Sequence, residues 1–355
     1  MMKSFFLVKT PLQLLNAIEA RHHYQLNKED CILILMADRK SQIQLNNLSN
    51  DVKEWGLIVD LNTVPLFFSD PLQTEGLKFW NCSLFKRSFF YAMRLNRIRK
   101  KIGEANYIFI GHAQYIYMKH FTNIMSCNKV VCLDDGNATY LLAKERKAPD
   151  NISYELTFKN KIKLLLKEKI QKINTSEYDE LEFFTIYNIG VSKKDSVVKN
   201  DFHYLRSNVS ENKSTNEIYF IGSPISETRI LSQDKYLTHL KRVVKYFKNH
   251  DIIYVSHRRE SEINLKEVSK KLGVKIVKFD YPLEYQLSMI GPRPKIMASF
   301  ISSALDSCSL IFGDTMKIIS FKLDLKDSPV KDEIENIYEE YQLNKDTTVY
   351  VENDY

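Results

Sequence analysis

The sequence predicts an α/β protein built from two doubly wound parallel sheets. Short Val/Ile/Leu/Phe runs alternate with longer amphipathic ones, the pattern of strand–helix–strand units. A polar, weakly periodic stretch from 192 to 217 breaks that alternation once, and a second series then begins. Acids, histidines, serines and glycines stand directly behind several apolar runs, where open α/β sheets carry their chemistry.

At 355 residues the chain has the length of about two domains. Its 44% hydrophobic and 27% charged residues suit sizeable cores under a soluble surface. No stretch approaches the roughly 18 consecutive apolar residues of a membrane span. The opening run Phe5-Phe6-Leu7-Val8 stops at Lys9-Thr10-Pro11 without a small-residue cleavage site, so it reads as a strand and a cytoplasmic location is expected. Cys31, Cys82, Cys127, Cys132 and Cys308 are scattered with no Cys-x-x-Cys pair, which argues for free thiols. A net charge of +7 fits anionic substrates or an anionic membrane face and is too diffuse for nucleic acid.

In the first series, Lys3–Val8 and Cys31–Met36 are expected strands. Pro11–Tyr24 is a helix between them, capped by Thr10, with Leu12, Leu15 and Ile18 on one face. Ser41–Trp55 is a second helix, and a weaker strand lies near Leu57–Val64. Phe67–Ser83 shows no period and reads as a loop. Leu84–Ile102 is a helix with seven basic residues and no acid. Tyr107–Ile110 is a strand stopped by Gly111-His112, and Lys129–Leu133 is the strand that delivers Asp134-Asp135-Gly136. Tyr154–Ile173 is a second basic helix. In the second series the strands are Ile218–Ile221, Ile252–Val255, Val274–Lys278, Lys295–Met297 and Leu310–Phe312. Helices Lys235–Phe247, Glu262–Leu272, Leu283–Met289 and Ser302–Ser307 separate them. Asp332–Tyr341 is a late acidic helix, expected to pack back on the first domain. The domains expected are therefore 1–195, a linker 196–216, 217–328, and a terminal helix and tail 329–355. The architecture expected is two Rossmann-like domains facing a central cleft.

Asp134-Asp135 invites a metal reading, since paired acids hold Mg²⁺ beside a nucleotide diphosphate. Neighbours on one strand point to opposite faces, however, so a single carboxylate acting as general base fits better. An ordinary Asp-Gly turn has the same composition. His257, followed by Arg258 and Arg259, stands behind Ile252–Val255. Histidine can donate a proton near neutral pH and arginine holds phosphate; a charged surface turn would look alike. Ser302-Ser303 opens a helix, which makes either a phosphate site or a plain cap. Gly222-Ser223-Pro224 is a similar strand-to-helix turn. Glu284 starts a helix, as a dipole partner or a ribose ligand. His112 ends the strand before the acidic one and could enter the same site. The basic helices 84–102 and 154–173 read as solvated faces or as an interface with an anionic membrane or glycolipid.

Taken in order, Asp134-Asp135-Gly136, His257, Glu284 and Ser302-Ser303 resemble the bacterial lipooligosaccharide sialyltransferases and their polysialyltransferase relatives. The opening Phe6-Leu7-Val8-Lys9-Thr10-Pro11-Leu12-Gln13-Leu14-Leu15-Asn16-Ala17 and Phe220-Ile221-Gly222-Ser223-Pro224 are similar to that family too. The resemblance implies a GT-B fold. It implies an inverting transfer, with no metal or other cofactor, of a sialic-acid-type sugar from its CMP donor. The acceptor would be a hydroxyl, galactose for choice, of a lipooligosaccharide, O-antigen or capsule glycan, with the enzyme peripheral on the inner membrane. It further implies Asp134 as general base, with Asp135 structural. His257 would be the acid at the departing phosphate, Ser302 and Ser303 phosphate ligands, and Glu284 the ribose ligand. Where that family has His-Pro this chain has His257-Arg258, and the arginine could add a phosphate contact. Two other readings stand beside this one: a CDP-dependent polyol-phosphate transferase of teichoic-acid type, and a non-catalytic glycan- or membrane-binding protein.

Overall fold

A computed structural model describes residues 2–37, 40–64, 77–78, 84–147, 173–209, 214–326, 328–343, 349–353 and 355. The chain divides into two compact units, Met1–Asn200 and Asp201–Tyr355.

The first unit holds β1 (Lys3–Val8), α1 (Pro11–His23), β2 (Cys31–Leu35), α2 (Gln42–Val52) and β3 (Leu57–Asp60). A small hairpin, β4 (Thr63–Val64) with β5 (Leu77–Lys78), follows. Then come α3 (Leu84–Ile102), β6 (Glu104–Ile110), α4 (Ile116–Ile124), β7 (Ser126–Leu133), α5 (Asn137–Lys147), β8 (Glu182–Thr185) and β9 (Ser196–Lys199). The sheet order is β3-β2-β1-β6-β7-β8-β9, and every pairing within it is parallel. Strands buried on both faces read as continuous apolar runs, which is why Phe5, Phe6, Leu7 and Val8 are all fully buried. At α1 the Thr10 hydroxyl accepts from the Gln13 N–H at 3.3 Å, while the Gln13 carbonyl oxygen accepts from the Lys9 N–H at 2.8 Å. This variant of a capping box, with Pro11 at the first helical position, sets where the helix begins.

The second unit holds α6 (His203–Ser207), β10 (Ser214–Ile221), α7 (Gln233–Tyr246), β11 (Ile252–Val255), α8 (Glu262–Leu272) and β12 (Lys275–Val277). Next are a short α9 (Leu283–Tyr285), which runs on as a wide turn through Gln286–Ile290, then β13 (Arg293–Ser299) and α10 (Ser303–Phe312). β14 (Lys317–Phe321), α11 (Lys331–Leu343) and β15 (Val349–Glu352) complete it. Its sheet, β12-β11-β10-β13-β14-β15, is again wholly parallel. In each sheet the strand order reverses beside the first strand, between β1 and β6 and between β10 and β13. Such switch points are where open α/β sheets bind ligands.

Several expectations need correcting. Leu310–Phe312 is the end of α10, not a strand; a three-residue apolar run cannot be told from a buried helix end by period. Residues 196–199 are an edge strand of the first sheet and not part of a linker. The terminal segment belongs to the second unit. β15 pairs with β14, and Ile334, Tyr338 and Tyr341, spaced four and three apart, form the buried stripe of α11. The Tyr338 hydroxyl accepts from the Leu323 N–H at 3.1 Å. The acids of α11 are its solvent side. The expected loop at 67–83 and basic helix at 154–173 lie outside the described residues, apart from Leu77, Lys78 and Ile173.

Candidate functional site

In the first unit the carboxyl end of β7 delivers Asp134, then Asp135, then Gly136 at φ 65°, a left-handed turn that glycine allows at no steric cost. Asp134 is buried. Its Oδ1 accepts from the Gly136 N–H at 3.0 Å and the Thr139 hydroxyl at 3.0 Å. Its Oδ2 accepts from the Thr185 hydroxyl at 2.8 Å and the Ile186 N–H at 3.1 Å. A carboxylate has about four lone-pair sites, and all are taken by protein donors. Burial pushes the Asp134 pKa up, and these hydrogen bonds, that of Thr185 foremost, pull against it. Its carbonyl accepts from Asn16 of α1 at 2.9 Å, and Asn16 accepts from Asn200 at 2.9 Å. Asp134 thus knits β7, β8 and α5 together, at the residue to which the family resemblance gives the part of base.

Asp135 is half-buried and lines a cavity of 30 Å³ with Gly111, His112, Ala113, Thr139 and Leu142. Its N–H donates to the Thr139 hydroxyl at 2.8 Å, so one threonine orders both acids. Burial, and then the nearby Lys9 ammonium, lower the His112 pKa, so this imidazole is neutral at physiological pH. Lys9 lies with its Nζ 3.9 Å from the centroid of the Tyr115 ring. Asp135 and the neutral histidine therefore line one small cavity at the carboxyl edge.

The second unit holds seven of the residues singled out from sequence, five of them at or beside the ends of β10 and β13. Gly222 and Ser223 follow β10. The Ser223 hydroxyl donates to the Ile301 carbonyl at 2.5 Å and the Ser299 hydroxyl to the Ile221 carbonyl at 2.8 Å, which ties the β10 end to the β13 end. Ser302 is the N-cap of α10, its hydroxyl accepting from the Ala304 N–H at 3.2 Å. Its N–H and carbonyl both meet the Tyr341 hydroxyl, at 3.3 and 3.1 Å. Ser303 is exposed at the N-terminal end of α10, where the helix dipole favours an anion. Glu284 is buried, accepts from the Ser307 hydroxyl at 2.6 Å, and has its pKa raised by that burial. Ser307 also donates to the Ser303 carbonyl at 3.3 Å, so Glu284 packs on the first turn of α10.

His257 follows β11, the strand beside β10, and is half-buried. Its Nδ1 accepts from the Arg259 N–H at 3.1 Å, so the proton of the neutral ring sits on Nε2. Arg258 is half-buried in the same turn. Glu260, which sequence reading passed over, accepts from the His257 N–H at 2.6 Å and from the Tyr254 hydroxyl at 2.5 Å. A Cβ on Gly222 would collide with Glu260 and Tyr254.

Helix α3 is not a uniform basic face. Arg99, Lys100 and Lys101 are exposed, whereas Arg94 is 1% exposed and donates to the Asp60 carbonyl at 2.8 Å. No helix among the described residues is long and apolar enough to cross a membrane.

Two wholly parallel sheets, each with polar residues at the carboxyl ends of its strands, make this a GT-B type fold, two Rossmann-like domains in one chain. The chain is similar to an α/β-galactoside α-2,3-sialyltransferase from the luminous marine bacterium Photobacterium phosphoreum, at 11% identity and a TM-score of 0.51, over 98% of this chain and 98% of that one. It is also similar to a UDP-GlcNAc 2-epimerase from Neisseria meningitidis solved with UDP-GlcNAc, at 11% identity and a TM-score of 0.51, over 94% of this chain and 85% of that one. At such identity the likeness is one of fold. No protein-family model matches the chain, and no curated protein sequence matches it.

Proposed function

We propose that the protein is a metal-independent, inverting glycosyltransferase that moves sialic acid, or a related nonulosonic acid, from its CMP donor to a glycan hydroxyl. The observation that carries this is the set at the carboxyl edge of the second sheet. It has a histidine with its neutral-state proton on Nε2, a helix first turn opened by Ser302 and Ser303, and a buried carboxyl, Glu284, packed against that turn. Those groups match a leaving phosphate, its oxygens and a ribose. Similarity of fold to a sialyltransferase and the family resemblance of the motifs support the same reading.

In this mechanism the Nε2–H of His257 donates a hydrogen bond to the departing CMP phosphate, which leaves as the dianion. Ser303 at the N-terminus of α10 and Arg258 hold that phosphate, Glu284 the ribose, and Gly222-Ser223 the approach to it. A tertiary anomeric centre departs easily as an oxocarbenium-like species, so stabilising the leaving group does most of what is needed. Asp135, and not the saturated Asp134, takes the proton from the acceptor hydroxyl, with His112 orienting the acceptor. The exposed bases of α3 steer the enzyme to an anionic membrane or glycolipid.

The test is CMP release from CMP-sialic acid across an acceptor panel, with UDP-GlcNAc as the contrasting donor. Acceptor-dependent CMP release that Asp135→Asn and His257→Ala each abolish is expected. Turnover of the UDP-sugar with CMP-sialic acid ignored would overturn the proposal.

A further inference from the structure

We infer that Tyr341 is a positioning residue for the turn opened by Ser302 and Ser303, holding it in the shape that takes the leaving phosphate. The inference rests on the reading of that turn as the phosphate site of the donor. Phe300, Ile301 and Ser302 run between the end of β13 at Ser299 and the start of α10 at Ser303. Each of their carbonyls takes a side-chain hydroxyl from a different element. The Ser320 hydroxyl of β14 donates to the Phe300 carbonyl at 2.8 Å, and the Ser223 hydroxyl behind β10 to the Ile301 carbonyl at 2.5 Å. The Tyr341 hydroxyl of α11 donates to the Ser302 carbonyl at 3.1 Å.

Tyr341 differs from the two serines because it serves both backbone groups of one residue. Ser302 is extended, with φ -163° and ψ 133°, and an extended residue turns its own N–H and C=O to the same side. The Tyr341 oxygen therefore also accepts from the Ser302 N–H, at 3.3 Å. These roles are fixed, since a backbone N–H only donates and a carbonyl only accepts. The Ser302 carbonyl accepts from the Leu305 N–H as well, at 3.0 Å, so losing Tyr341 would leave it paired. The N–H would lose its acceptor. Ser302 carries the hydroxyl that caps the Ala304 N–H at 3.2 Å, and Ser303 follows it directly. A shift of the Ser302 backbone thus displaces both serines, and a binding group must be held within about half an ångström to work.

Helix α11 is itself fastened one turn earlier. Tyr338, on the same buried stripe, accepts from the Leu323 N–H at 3.1 Å and donates to the Phe321 carbonyl at 3.4 Å. Two tyrosines of one helix therefore make the same kind of contact, one at the exit of β14 and one at Ser302. Only the second reaches the phosphate turn.

The experiment is calorimetric titration of the full chain with CMP and with cytidine, which differ by the phosphate alone. The unmodified protein is expected to bind CMP the more tightly. Tyr341→Phe keeps the ring and should weaken CMP roughly tenfold, the size of one lost hydrogen bond, and cytidine by less than about twofold. Tyr338→Phe should lower the thermal midpoint by a similar amount and keep the ratio of the two affinities. An unchanged ratio in Tyr341→Phe, equal weakening of both ligands, or an equal loss of the ratio in Tyr338→Phe would overturn the inference. A second readout needs no variant: solvent exchange of the Ser302 N–H should slow when CMP is added to the unmodified protein and not when cytidine is added. The same exchange rate with both ligands would also overturn it. If the unmodified protein bound CMP no better than cytidine, the phosphate reading of the turn would fall instead, whatever Tyr341→Phe did.

Discussion

Asp134 and Asp135 are adjacent, chemically identical and placed in different roles by their surroundings. Asp134 spends both oxygens on Gly136, Thr139, Thr185 and Ile186, whereas Asp135 lines a cavity beside His112. Sequence reading ranked the pair with Asp134 as base and Asp135 structural, but it could not see the donors on Thr185 and Ile186, which come from another strand. Asp134→Asn must turn an amide N–H₂ toward two donors. It should cost about 3 kcal/mol, typical for breaking a buried charged network, read as a lower thermal midpoint. Asp135→Asn should leave that midpoint within a degree or two and remove transfer. Equal loss of stability in both would contradict the division of roles. Of the residues that support the site, Thr139, Glu260 and Tyr254 carried no local signal. Only a polar side chain at helical or strand-end spacing from an acid or a histidine could have pointed to them.

Elements are held by a few buried polar clamps as well as by apolar faces. Arg146 of α5 grips Asp195 with two hydrogen bonds, 2.8 and 2.7 Å, and reaches the Tyr178 carbonyl at 3.2 Å. This anchors the helix that follows the acidic turn to the segment before β9. Burial raises the Asp195 pKa, but Arg146, the Ser192 hydroxyl and the Leu181 N–H outweigh it and the net shift is downward. A lowered pKa contributes stability above the unfolded carboxyl value, and that stability is lost as pH falls through the folded one. Below about pH 4, therefore, α5 should loosen first. Arg146→Gln leaves the buried acid unpaired and should cost about 3 kcal/mol at pH 7, with less further loss on acidification. Thermal melts from pH 3 to 7 would show it, and parallel curves for variant and parent would refute it. The long, strongly periodic helix Leu84–Ile102 was legible from its bases and apolar stripe. Helix α5 was not, since it begins inside the acidic motif and shows few periodic apolar residues.

At the scale of the molecule, each unit has its own parallel sheet and its own switch point. The CMP-binding residues proposed above all lie in Asp201–Tyr355. A fragment of residues 201–355 should therefore bind CMP, within about tenfold of the full chain, in a calorimetric titration, and His257→Ala within it should change binding little. A folded fragment with no CMP affinity would move the donor site elsewhere.

The sequence by itself determined that two alternating strand–helix series exist, roughly where they part, and which strand ends carry reactive side chains. Those properties are local: apolar period, turn chemistry and caps are written in neighbouring residues. Only the tertiary structure shows that Asp134 is buried among four donors, that the terminal helix and β15 belong to the second unit, and that a glutamate beside His257 accepts from Tyr254. Each depends on partners 5 to 78 positions away, brought together by parallel pairing, and no local pattern encodes such meetings.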